Sequence, residues 1–166
     1  IERLVDFMAH EYYGFDVVTS LVDFYGFKGA EGLNKQDIEQ QIQEGLRSKG
    51  LSTRRTLPYV QRYEFEALLF SSIERFEYVL DGWNDEVEQQ LQSIRAAFAT
   101  PEEINNSKET APSKRILAAF APGTYSKTEH GPIIAEEIGL TTIRQECPEF
   151  NNWLQTIENL ASNLDK

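Results

Sequence analysis

The sequence predicts a mostly helical α/β fold. One parallel βαβ unit lies near the N-terminus and a helical half follows it. Three observations carry this prediction. Val17-Val18-Thr19-Ser20-Leu21-Val22 is short, apolar and β-branched, the pattern of a buried strand. Tyr59, Gln61, Tyr63 and Phe65 alternate with Val60, Arg62, Glu64 and Glu66, which suits a second strand reaching Glu66. Elsewhere apolar residues recur at helical spacing. Two strands joined by a helix pair in parallel with a right-handed crossover. A two-stranded parallel sheet is too small to hold a core by itself. The sheet is therefore expected to be incomplete. The chain opens at Ile1 already inside a helical pattern, so the expectation is the C-terminal portion of a longer domain.

The elements follow in order. Leu4, Val5, Phe7, Met8 and Tyr12 predict a first helix over residues 1–13, ended at Gly14. After the first strand, Ile38, Ile42 and Leu46 form a narrow apolar stripe on a polar helix over residues 35–47. Ala67-Leu68-Leu69-Phe70 reads as a helical turn packed into the core. Residues 72–80 and 84–99 read as helices, the second with Val87, Leu91, Ile94 and Phe98 on one face. Residues 101–107 read as a short helical turn and a loop. A helix starts near Ser113, its expected N-cap. Two more helices are expected over residues 130–138 and 148–161, the last with Phe150, Trp153, Leu154, Ile157 and Leu160 on its apolar side. The expected organisation is a partial α/β unit over residues 1–71 with a helical region over 72–166 packed on it.

Composition narrows the classes of function. The single Cys147 excludes an intramolecular disulfide, and two His leave little for a Cys/His zinc site. No apolar run is long enough for a membrane span, and no signal-peptide pattern opens the chain. The reading is cytoplasmic, without membrane contact. A formal net charge of -11 argues against nucleic-acid binding by the overall field. That charge is unevenly spread. Residues 45–63 hold no Asp or Glu but carry Arg47, Lys49, Arg54, Arg55 and Arg62. A local phosphate or nucleic-acid contact stays open there, with a solvated loop as the alternative. Lys108, Lys114, Arg115 and Lys127 form a second basic set.

Acidic residues stand at the expected strand ends. Asp23 closes the first strand, where ligands bind in open α/β sheets. A carboxylate there can hold Mg²⁺; the alternative is a residue that caps a turn. Glu64 and Glu66, two apart, would face the same way on a strand. Three carboxylates converging at one edge would need a cation or a proton among them, and Mg²⁺ or Mn²⁺ is the hard-ligand choice. The alternative puts Glu66 in a first helical turn and Glu64 in solvent. His130 stands at a helix start, where it can cap or touch a phosphate. Cys147 reads as buried and unreactive.

Several words of the sequence carry a family resemblance. They are Val18-Thr19-Ser20-Leu21-Val22-Asp23-Phe24-Tyr25-Gly26, the stretch from Pro58 through Glu64-Phe65-Glu66-Ala67-Leu68-Leu69-Phe70-Ser71, and Pro101-Glu102-Glu103-Ile104-Asn105. Glu109-Thr110-Ala111-Pro112-Ser113-Lys114-Arg115-Ile116, Tyr125-Ser126-Lys127, His130-Gly131-Pro132, Ile143-Arg144-Gln145-Glu146-Cys147-Pro148 and Phe150-Asn151-Asn152-Trp153-Leu154 follow. In this order they resemble a bacterial family, domain of unknown function 4276, from residue 17 to about residue 160. The family looks distantly like Toprim domains, the metal-binding α/β fold of topoisomerases, primases and overcoming-lysogenization-defect nucleases. The resemblance implies an incomplete Toprim-like parallel sheet and a setting beside an ABC-type ATPase in antiviral defence. Asp23 resembles the first Asp of the Toprim Asp-x-Asp word, and Tyr25 departs from the second. Glu64-Phe65-Glu66 resembles an acidic position in the nuclease branch. The opening strand, with its Glu, is expected upstream of Ile1.

Two functions follow as expectations. The first is a Toprim-like, Mg²⁺-dependent nuclease or phosphoryl-transfer domain. Asp23, Glu64 and Glu66 would hold metal, and Arg54, Arg55, Arg62, Lys114, Arg115 and Lys127 would contact phosphates. The alternative is a non-catalytic interaction module that docks on an ABC-type ATPase.

Overall fold

The computed structural model describes residues 1–105 and 107–164, without the side chains of residues 163 and 164. The fold is mostly helical with a small parallel sheet, as the sequence predicts. The chain divides into two compact units, Ile1–Gln61 with Trp153–Lys166, and Arg62–Asn152. The sequence reading placed a boundary at residue 71. Here the chain passes between units at Gln61–Arg62 and returns to the first unit at Trp153.

In the first unit, helix α1 (Glu2–Glu11) buries Val5 and Met8. Strands β1 (Val18–Thr19) and β2 (Val22–Asp23) follow, then α2 (Lys35–Ser48), β3 (Thr56–Leu57) and β4 (Val60–Gln61). Helix α2 starts at a capping box, with Asn34 Oδ1 accepting from Asp37 N and Asp37 Oδ2 accepting from Asn34 N. Its stripe of Ile38, Ile42 and Leu46 is fully buried, against Val5, Met8, Val18 and Val60. The two helices lie close. A methyl group at Gly45 would come within 2.9 Å of Val5 Cγ2.

The sheet is one parallel pairing in two pieces. β1 pairs with β3 as Val18↔Thr56, and β2 pairs with β4 as Val22↔Val60, at the same offset. Between them the register sets Ser20 opposite Pro58, which has no N–H to give. The Ser20 hydroxyl bridges the gap. Its Oγ accepts from Tyr59 N at 3.0 Å and donates to Tyr59 O at 3.1 Å. Arg55 ties the loop after α1 to the start of β3. Its guanidinium donates to the carbonyls of Tyr12, Phe15 and Asp16 and lies 4.4 Å from the Tyr12 ring centroid. Trp153 stacks on Tyr59 at 4.8 Å, and its Nε1 donates to Thr19 Oγ1.

The expected second strand is shorter than the alternation suggests. β4 ends at Gln61 because Tyr63 takes a φ of 66°, a left-handed conformation that turns the chain out of the ladder. Glu64 and Glu66 are therefore not strand residues. Glu64 sits immediately before the 3-10 helix Phe65–Ser71, and Glu66 lies in its first turn.

That 3-10 helix opens the core of the second unit, with Ala67, Leu68, Leu69 and Phe70 buried as expected. A second 3-10 helix, Ile73–Tyr78, adds Ile73 and Phe76. Then come α3 (Asp85–Ala96), α4 (Pro112–Ala119), α5 (Lys127–Ile138), α6 (Leu140–Glu146) and α7 (Pro148–Leu164), whose residues from Trp153 on belong to the first unit. Helix α4 is entered through Pro112, which suits the first helical position, so Ser113 is not the N-cap. Helix α6 has no apolar stripe long enough to be read from sequence. Gly139, at φ 77°, separates it from α5. The first turn of α7 is held by Glu102, whose carboxylate accepts from Glu149 N at 2.9 Å and Phe150 N at 2.8 Å.

Candidate acidic site

The second unit brings Glu64 and Glu66 to one cation. The 3-10 turn after Tyr63 carries both carboxylates toward the start of α5, where Lys127 is the first residue. Lys127 Nζ lies 2.9 Å from Glu66 Oε1 and 3.9 Å from Glu64 Oε1. The other Glu64 oxygen, Oε2, accepts from Ser113 N at 2.9 Å, in the first turn of α4. Glu64 is thus a remote helix cap and not a solvated residue. Both acids are shielded, with side-chain exposures of 14% for Glu64 and 6% for Glu66, whereas Lys127 is 40% exposed.

Tyr125 lies within the electrostatic reach of both acids. The residue is 5% exposed, and its hydroxyl has no hydrogen-bond partner among the described residues. Burial raises its pKa, with the charges of Glu66 and Glu64 adding to the effect, so the group stays protonated and available as a donor. The ring stands in a row of aromatics, at 5.7 Å from Phe120 and 5.8 Å from His130. His130 Nδ1 accepts from Ser126 N at 2.9 Å, the capping alternative of the two roles open to it. That bond leaves the ring proton on Nε2 in the neutral form.

The remaining residues named from sequence have other settings. Asp23 ends β2 in the first unit, in register with Gln61. Its side chain does not cap the turn Phe24–Gly26 that follows. It lines a groove of about 460 Å³ with Leu4, Leu21, Val22, Gly26 and Phe27. Among the described residues, no three His, Cys, Asp or Glu side chains form a group that could hold a metal. Arg55 is the clamp described above. Arg62 pairs with Glu149 at 3.3 Å and lies over the Tyr63 ring. Arg115 donates to Thr110 O at 2.7 Å and covers the Phe98 ring. Arg54 and Lys114 are exposed, the latter in the first turn of α4.

Sequence reasoning missed Tyr125 and the Ser113 amide as parts of this site. The words Tyr125-Ser126-Lys127 and Pro112-Ser113-Lys114 pointed near them. Cys147 is buried as expected. Its Sγ lies 3.3 Å from Ser71 Oγ, and burial pushes the thiol up to about 12. No described helix is long and apolar enough to cross a membrane.

A family model described as a domain of unknown function, DUF4276, matches residues 2–158. No curated protein and no solved structure matches the chain.

Proposed function

The chain belongs to the DUF4276 family, and we propose that it is a Mg²⁺-dependent phosphoryl-transfer domain of the nuclease kind. In this reading it works in the cytoplasm with an ABC-type ATPase, in a bacterial defence-type system. The observation that carries the reading is the pair Glu64 and Glu66, held around one ammonium group in a shielded site. Mg²⁺ typically takes one or two carboxylates, with water and substrate phosphate completing its shell. The donor chemistry of Glu64 and Glu66 fits that pattern, and these two residues would hold the ion. Among the described residues Asp23 makes no group of three metal-ligating side chains with these two acids, and it is not assigned to this ligand set. A bound divalent cation would supply Lewis-acid polarisation of a phosphoryl oxygen and an activated water. Lys127 and the exposed Lys114 offer positive charge toward phosphate oxygens.

Calorimetric titration with Mn²⁺ tests this. The expected result is one saturable site, lost in the Glu64→Gln, Glu66→Gln double variant and kept in Asp23→Asn. A flat titration of the unaltered chain overturns the reading.

A second reading, a non-catalytic module that docks on the ATPase, is favoured by a separate observation. Arg62 and Arg115 spend their guanidinium groups inside the second unit, while Leu80 and Leu140 of that unit stand 83% and 53% exposed. Co-purification with the ATPase that survives the double variant, without cleavage of nucleic acid by the pair, would favour docking.

A further inference from the structure

We draw no further inference here: the strongest candidate, the mostly apolar groove of about 460 Å³ beside β2 in the first unit, lined by Leu4, Leu21, Val22, Asp23, Gly26 and Phe27, carries nothing because nothing in the structure shows what covers it.

Discussion

Single side chains in this protein carry more than their own element requires. Tyr125 is the plainest case, a phenol 5% exposed whose hydroxyl bonds to none of the described residues. An unsatisfied buried hydroxyl costs folding energy, so its removal should return some of it. Tyr125→Phe is expected to raise stability by about 1 kcal/mol, read from chemical denaturation. A destabilising effect would show that the hydroxyl has a partner inside the fold. Glu102 makes the opposite point. It is 1% exposed yet well used, since it binds the first two free amides of α7. A buried acid is therefore not by itself a sign of chemistry. Glu64 shares the capping role of Glu102 and also faces the Lys127 ammonium.

Elements hold together where side chains stand in for missing backbone groups. The parallel pairing is interrupted at Pro58, and the Ser20 hydroxyl spans the break with two bonds to Tyr59. Ser20→Ala leaves the Tyr59 amide and carbonyl without that partner in a buried place. The expected loss is about 1–3 kcal/mol, measured by urea unfolding. Ser20→Gly should lose a similar amount, because the hydroxyl and not the volume matters here. The helices follow simpler rules. Helix α2 was legible from its apolar stripe, because a period of three to four residues is a local property. Helix α6 was not, because among its seven residues only Ile143 is buried.

At the scale of the whole molecule, buried ionisable groups set the pH range of stability. Burial holds the Cys147 thiol at about 12, against an ordinary value of 9.0, and pushes the Tyr125 phenol upward as well. Both groups are neutral when protonated and hold their protons more firmly in the fold than in the unfolded chain. Below the unfolded values their contribution is complete. As pH rises through the interval from 9 toward 12, the unfolded chain loses protons first and stability falls. The melting temperature should drop steadily from pH 9 to pH 11, and Cys147→Ala should flatten part of that slope. A slope unchanged by the substitution would place the alkaline loss elsewhere. The overall charge of -11 remains a separate matter. It opposes binding of polyanions by the general field.

The sequence by itself determined the strand near Val18, the helix stripe of Ile38, Ile42 and Leu46, and the buried turn Ala67-Leu68-Leu69-Phe70. Each is written in a few neighbouring residues whose hydrophobic period matches the element they form. It also singled out Glu64 and Glu66, though by an alternation that wrongly extended the strand. Only the tertiary structure decided what those acids do. The amide of Ser113 lies 49 residues from Glu64, and Lys127 lies farther still. The same holds for Arg55, read as a phosphate ligand in a basic loop but folded onto carbonyls about forty residues earlier. Local periodicity fixes which face of an element is buried. Charge pairing and capping depend on which distant backbone arrives beside a side chain, and no local pattern encodes that.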